Sequence, residues 1–131
     1  MKEVPVTGNP VREKSYVFAL EIVRLQGELL SKREYVLSRQ LVRAGTSIGA
    51  NVEEAAAAQS RKDFAAKMAI ASKEAREAHY WLRLLRDAEM FDGDRAEVLL
   101  EQCEELIRLL TAIVKTVQQT PAVDPLPLPG R

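Results

Sequence analysis

The sequence of 131 residues has few of the residue types that build disulfide or metal sites. Its single cysteine, Cys103, excludes an internal disulfide framework, and together with the single histidine, His79, it is too little for a zinc cluster. Aromatic residues make up only 5% of the chain. The sequence therefore predicts no metal site and no cofactor, and its cysteine content suits a cytoplasmic protein.

The chain also has no excess of charge of either sign and no long hydrophobic run. Nineteen basic side chains balance nineteen acidic ones, so no overall field would draw the protein to nucleic acid or to an anionic membrane. No apolar run approaches the roughly 20 residues that cross a bilayer, and the N-terminal residues lack the apolar core of a signal peptide. We expect a cytoplasmic protein with no membrane partner, in which any nucleic-acid binding comes from a local patch.

What the chain does contain is helical periodicity. Apolar residues recur in steps of three and four along four stretches, as in helices that pack lengthwise on one another. Asn9 and Pro10 resemble a helix start, and Asp94 resembles the N-cap of the fourth helix. Short connections are predicted at residues 31–33, near residue 60 and at residues 91–94. This pattern predicts an all-α fold, an antiparallel up-down-up-down four-helix bundle over residues 9–119.

Each predicted helix has a row of residues expected to face the core. The rows are Val11, Phe18, Ile22, Leu25 and Leu29, widened by Val23 and Leu30; Leu37, Leu41, Ala44, Ile48, Asn51 and Ala55; Phe64, Met68, Ala71, Ala75, Ala78, Leu82 and Leu85; and Ala96, Leu99, Cys103, Leu106, Leu110, Ile113 and Val117, with Leu100, Ile107 and Val114 beside them. Residues 1–8 are predicted to be a flexible lead-in. Residues 120–131 are predicted to be a Pro-rich disordered tail, because repeated prolines forbid a helix.

Small residues are concentrated in the stretch GTSIGANVEEAAAA, residues 45–58, where they would allow other helices to approach closely. Polar residues of the second and third helices are predicted to fix the register between helices or subunits, as a buried polar residue does in coiled coils. These residues are Arg43, Ser47, Asn51, Glu54, Glu74 and Glu77. The alternative is a carboxylate-lined metal pocket, but di-metal bundles also use Glu-x-x-His pairs, and the residue three before His79 is Arg76.

Two stretches resemble the bacterial four-helix bundle proteins, also called the large-subunit ribosomal RNA intervening-sequence proteins. They are QLVRAGTSIGANVEEA, residues 40–55, and KDFAAKMAIASKEAREAHYWLRLL, residues 62–85. The matching residues are Gln40, Arg43, Ser47, Ile48, Asn51 and Glu54 in the first stretch, and Phe64, Ile70, Ala71, Glu74, Glu77, Tyr80, Trp81 and Leu82 in the second. The chain departs from the family pattern at Ala55, where the family has Gly, and at Glu53, where it usually has Ala.

The resemblance implies a bundle that associates into a homo-oligomeric ring, usually a pentamer, and it implies no enzymatic activity. A related accessory protein of diversity-generating retroelements has the same bundle and ring, and it works with a reverse transcriptase and its RNA. We therefore expect a non-enzymatic scaffold or adaptor, which could also bind a protein partner. The alternative is an RNA-binding accessory protein that acts with a reverse transcriptase, an expectation by analogy of fold.

Aromatic and reactive residues have structural interpretations. Tyr80 and Trp81 are predicted to anchor an interface, where aromatic side chains are favoured. His79 is expected to be exposed, with no catalytic partner evident in the sequence. Cys103 lies on the predicted core face and is expected to be a small buried hydrophobe. The sequence thus predicts no catalytic residue.

Nucleic-acid binding, the alternative function, would use a patch of basic residues that a ring would repeat by symmetry. Its candidate residues are Lys32, Arg33, Arg39, Arg43, Arg83 and Arg86. The competing interpretation is a solvated face with salt bridges, since Glu34, Asp87 and Glu89 lie among these residues.

Overall fold

The described part of the chain, residues 10–119 of a computed structural model, consists of four α-helices. Helix α1 spans Pro10–Ser31, α2 spans Val36–Ala56, α3 spans Arg61–Asp87 and α4 spans Gly93–Gln119. None of the described residues lies in a strand. The predicted all-α class is confirmed. The predicted lead-in at residues 1–8, the helix cap at Asn9 and the predicted tail at residues 120–131 lie outside the described residues.

Helices that follow one another in sequence lie side by side, and α1 packs on α4 to close the bundle. The contacts between α3 and α4 show that these two helices run in opposite directions. Arg76 meets Thr111 and His79 meets Glu104, while Arg86 meets Glu97. The connections are only four or five residues long, which leaves no room for a crossover. The helices therefore have the up-down-up-down arrangement that the sequence predicted.

The core lies on the inner face of all four helices and contains most of the predicted residues. In α3, Met68, Ala71, Ala75, Ala78, Leu82 and Leu85 are all buried. Two parts of the prediction are wrong. Val52 replaces Asn51 in the core face of α2, because Asn51 lies on the flank toward α3 and is half-buried. Val23 and Leu30 do not widen the core face of α1, since Val23 is 48% exposed and Leu30 is 42% exposed.

Helices α1 and α3 end in the same way, with a residue in the left-handed region. Arg33 after α1 has φ 64°, and Glu89 after α3 has φ 58°. The Arg33 amide donates to the Leu30 carbonyl at 2.9 Å, and the next amide donates to the Leu29 carbonyl at 2.9 Å. These two bonds form a Schellman motif, which satisfies carbonyls that the helix leaves open. Neither left-handed residue is a glycine, so both positions carry backbone strain.

Side chains cap the starts of α3 and α4. The Ser60 hydroxyl accepts a hydrogen bond from the Asp63 amide at 3.0 Å, so Ser60 is the N-cap of α3. Helix α4 begins earlier than predicted, because Asp92 rather than Asp94 is its cap. The Asp92 carboxylate accepts a hydrogen bond from the Arg95 amide at 2.9 Å. Both aspartates lie within two residues of the helix start, and only the backbone path distinguishes them.

Candidate functional site

The glycines of residues 45–58 bring α2 close to α1. A Cβ added to Gly45 would lie 3.1 Å from the Ile22 side chain, and one added to Gly49 would lie 3.4 Å from the Ser15 carbonyl oxygen. Ala55 is also buried, although the family pattern has Gly there. Helix α2 ends at Ala56, so the last alanines of the stretch belong to the connection. The stretch therefore packs α1 against α2 at its glycines.

Arg43 of α2 lies between two carboxylates of α3. Its guanidinium donates to Glu74 at 3.3 Å and also to Glu77, and the Trp81 indole N–H donates to Glu77 at 2.9 Å. The Glu74 side chain is only 12% exposed. We call Arg43, Glu74, Glu77 and Trp81 the polar cluster. It joins four residues of the two family-like stretches, and it fixes the position of α3 along α2.

The other predicted polar residues behave differently from one another. The Asn51 side-chain amide donates to the Ser47 carbonyl at 2.9 Å and to the Ser47 hydroxyl at 3.1 Å, both within α2. It therefore makes no hydrogen bond across the α2–α3 interface among the described residues. Glu54 does cross this interface, with an ion pair to Lys67 at 2.9 Å. The Glu54 carboxylate raises the pKa of Lys67 through this hydrogen bond and its charge.

Tyr80 and Trp81 form an edge-to-face pair with ring centroids 5.1 Å apart. Trp81, a member of the polar cluster, is half-buried, whereas Tyr80 is exposed on the outer side of α3. The Arg83 guanidinium lies 5.7 Å from the centre of the Tyr80 ring, within the range of a cation–π contact. The interface role of these aromatic residues stays a prediction.

The six residues of the predicted basic patch have different surroundings. Arg43 is neutralised in the polar cluster, and Arg86 pairs with Asp87 at 2.9 Å and with Glu97 at 3.1 Å. Lys32 donates to the Met90 carbonyl at 2.7 Å, which joins two connections at one end of the bundle. The remaining three, Arg33, Arg39 and Arg83, form no ion pair with any residue from 10 to 119. The continuous patch stays a prediction.

His79 has a partner that the sequence did not reveal. Its Nε2 lies 2.9 Å from the Glu104 carboxylate, and only 21% of the side chain is exposed, so the expectation of an exposed histidine is wrong. The two residues lie in an open cleft of about 480 Å³ between α3 and α4, the α3–α4 cleft, lined by Arg76, His79, Arg83, Glu104, Ile107 and Arg108. Glu104 follows His79 by 25 residues, and only the pairing of the helices brings them together.

Cys103 is buried in the core, as the sequence predicted. Its Sγ donates to the Ala75 carbonyl oxygen at 3.2 Å. Burial, with a smaller effect of the neighbouring Glu104 charge, raises the pKa of the Cys103 thiol to about 12. The residue therefore stays a neutral thiol at physiological pH, and a neutral thiol is a poor nucleophile.

An apolar row on the solvent side of α1 was missed by the sequence interpretation. We call Tyr16, Leu20, Val23, Gly27 and Leu30 the outer stripe. These residues are spaced in alternating steps of four and three, and all five are exposed. Next to the stripe, a groove of about 160 Å³ lies between α1 and α2, the α1–α2 groove, lined by Ser15, Tyr16, Ala19, Thr46, Gly49, Ala50 and Glu53. The signal in the sequence was a second repeat of the same spacing, out of phase with the core row.

The described helices contain neither a metal-binding group nor a membrane-spanning segment. Within residues 10–119, no group of three or more His, Cys, Asp or Glu residues is placed to hold a metal ion. None of the helices in this range is long and apolar enough to cross a membrane.

Comparison with known proteins shows what this chain is similar to. The family model described as 23S rRNA-intervening sequence protein matches residues 8–112. A solved structure from Bacteroides thetaiotaomicron, of a protein with unknown function from the S23 ribosomal protein family, is 45% identical and superposes with a TM-score of 0.78. That match covers 80% of this chain and 98% of the other. No curated protein matches the sequence.

Proposed function

The chain belongs to the 23S rRNA-intervening sequence protein family, as its two signature stretches predicted, and we propose that it is a non-enzymatic scaffold that assembles into a homo-oligomeric ring. The observation that carries this proposal is the outer stripe of α1. The resemblance to the family suggests a pentamer. The scaffold would position a partner through the repeated surfaces of the ring.

The outer stripe has the pattern of a helix face that packs lengthwise on another helix. Its residues follow the 3.5-residue average spacing of a packing seam and extend over about 21 Å of helix. Full burial of one Leu or Val side chain contributes about 1.5–3 kcal/mol, so several such residues are a substantial source of binding energy. The protomer leaves them exposed, although the core face of the same helix is fully formed. This face is suited to a contact outside the protomer.

A second copy of this chain is the partner that fits the surface best. The α1–α2 groove beside the stripe is lined by small residues such as Ala19, Gly49 and Ala50, which leave room for a side chain of a neighbouring subunit. The side chains of the stripe project from the surface, and the groove is a depression that can receive such a side chain. A contact between the stripe of one subunit and the groove of the next is head-to-tail, and such contacts form a ring when the rotation between subunits closes.

The polar groups of the bundle support a structural role. Both carboxylates of the polar cluster are engaged by Arg43, and Glu77 also accepts from Trp81. Cys103 is a buried neutral thiol. In this arrangement the polar cluster and Cys103 are used for helix packing. The polar cluster keeps α2 and α3 in register, so that the surfaces of the protomer have a defined shape for assembly.

The proposal is tested by light scattering coupled to size-exclusion chromatography. The natural chain is expected to elute as an oligomer, and Val23→Lys with Leu30→Lys as a monomer with unchanged helical circular dichroism. The matched control is Val98→Lys, because Val98 is exposed on α4 and lies outside the stripe. A monomeric natural chain at micromolar concentration, or a double variant that stays oligomeric, would contradict the proposal.

A further inference from the structure

The α3–α4 cleft is lined by three arginines, Arg76, Arg83 and Arg108, and by a single carboxylate. Most other arginines pair with carboxylates: Arg12 with Glu53 at 2.7 Å, and Arg95 with Glu28. The three arginines of the cleft do not. We propose that the α3–α4 cleft is a binding site for a phosphate group. This inference goes beyond the scaffold function and does not rest on it.

None of the three guanidinium groups of the cleft forms an ion pair with a residue in the described range. Arg76 donates to the Thr111 hydroxyl at 2.9 Å, a neutral partner. Arg83 lies over the Tyr80 ring, and Arg108 forms no ion pair with any residue from 10 to 119. Grouping like charges is unfavourable, and a neighbouring acid relieves the repulsion at most other arginines of the described helices. An anionic ligand would remove this repulsion.

Glu104 is the single carboxylate that lines the cleft, and it is already engaged. Its Oε2 lies 2.9 Å from His79 Nε2, which holds it toward α3. Two further acids, Glu101 and Glu105, line an adjoining depression that shares Glu104 and Arg108 with the cleft. Glu105 pairs with Lys14 of α1 at 3.3 Å. Neither of these two acids lines the cleft itself, where three arginines outnumber the single carboxylate.

The residue types match a phosphate better than other anions. A guanidinium group presents a planar fork of N–H donors that binds phosphate oxygens in pairs, and three such groups line this cleft. The contact with Tyr80 orients Arg83 without using its N–H donors. The volume of about 480 Å³ exceeds that of one phosphate group, so the rest of a ligand has room beside Ile107. The phosphate could belong to a free small ligand or to a nucleic-acid strand, and both present the same oxygens.

The test is a titration calorimetry experiment on the full chain at fixed low salt. One arm uses inorganic pyrophosphate, and the other uses a short single-stranded oligonucleotide. We expect at least one probe to bind, and the double variant Arg83→Gln with Arg108→Gln to weaken it about tenfold or more, since each lost charge-assisted bond is substantial. Binding of pyrophosphate would identify a free phosphate ligand, and binding of the oligonucleotide alone would identify a phosphodiester. Either result supports the site.

Two further variants separate a specific site from general charge. Arg24→Gln removes an exposed arginine of α1 that lies outside both the cleft and the predicted basic patch, and should leave the affinity unchanged. Glu104→Gln removes the single acid that lines the cleft and should tighten binding. The inference is overturned if neither probe binds, if Arg24→Gln weakens binding as much as the double variant does, or if Glu104→Gln weakens it. Light scattering on the same samples reports assembly separately, so failure of this site would not be mistaken for failure of the ring.

Discussion

Gly45 of α2 lies directly against Ile22 of α1, and a Cβ at position 45 would be only 3.1 Å from two carbons of the Ile22 side chain. Ile22 is fully buried among other core residues and cannot move away easily. The glycine therefore sets how closely the two helices approach. The same two helices carry the outer stripe and the α1–α2 groove, so this contact also shapes the proposed assembly surface.

Gly45→Ala should lower the free energy of unfolding. Alanine gains about 1 kcal/mol in helix propensity, but overpacking a tight core contact costs about 1–3 kcal/mol. The control is Gly27→Ala, where an added Cβ meets nothing within 4 Å, and which should stabilise the helix. Gly27 belongs to the outer stripe, so both changes are best compared by urea unfolding in the Val23→Lys, Leu30→Lys background. A stabilising Gly45→Ala would show that the α1–α2 contact is not tight.

Glu89→Gly should raise the stability of the bundle. Glu89 has φ 58°, a conformation that costs a non-glycine residue about 1–2 kcal/mol and that glycine adopts freely. We expect a gain of about 1 kcal/mol in urea unfolding, because the greater freedom of glycine in the unfolded chain offsets part of the relief. The neighbouring Ala88→Gly, at φ −81°, should instead be destabilising. Equal effects of the two glycines would argue against the Schellman motif at the end of α3.

Asp92→Ala should destabilise the protein by about 1 kcal/mol, the usual cost of losing an N-cap. The Asp92 carboxylate accepts from the Arg95 amide at 2.9 Å, and without it that amide has no side-chain cap. Asp94→Ala is the matched control, because Asp94 lies inside the first turn of α4 and makes no such bond among the described residues. Thermal unfolding of the two variants would distinguish them. A larger loss for Asp94→Ala would place the helix start where the sequence first suggested.

The contribution of the Arg12–Glu53 pair to stability should depend on pH. The hydrogen bonds from Arg12 lower the pKa of Glu53 below its ordinary value of 4.5. A depressed carboxyl pKa stabilises the fold above the unfolded value, and this contribution is lost as the pH falls through the folded value. The difference in unfolding free energy between the natural chain and Arg12→Gln should therefore be largest near neutral pH and shrink below about pH 4. A difference that is constant across this range would show that the pair does not shift the Glu53 titration.

Local patterns in the sequence were sufficient for much of the core. Gly45 and Gly49 of α2 make the predicted close approach to a neighbouring helix. The regular row from Met68 to Leu85 has the predicted burial, because helical spacing alone places such residues on one face. The same rule failed for Val23 and Leu30. Helix α1 carries two apolar rows, and spacing does not say which of them faces the other helices. The prediction for Asn51 was wrong for a related reason. From Ile48, a step of three residues leads to Asn51 on the flank, and a step of four leads to Val52 in the core. Spacing alone does not choose between the two steps.

The candidate sites depended more strongly on contacts between distant residues. The contact of Arg43 with Glu74 and Glu77 agrees with the predicted polar contacts between helices, since polar residues recur at helical spacing on α2 and α3. The partnership of His79 with Glu104 was not predicted, and neither was the grouping of Arg76, Arg83 and Arg108 around one cleft. In the sequence, the arginines of α3 and α4 have the spacing of ordinary charged residues on a helix surface. Its charge balance appears only when α3 and α4 are placed side by side.

The sequence by itself determined the number of helices, their approximate limits and the family, because helical periodicity and short signatures are properties of neighbouring residues. The tertiary structure decided which apolar row of α1 stays at the surface, which aspartate caps α4, and which charges remain unpaired between α3 and α4. Those outcomes depend on the separation and relative rotation of helices whose contacting residues lie tens of positions apart.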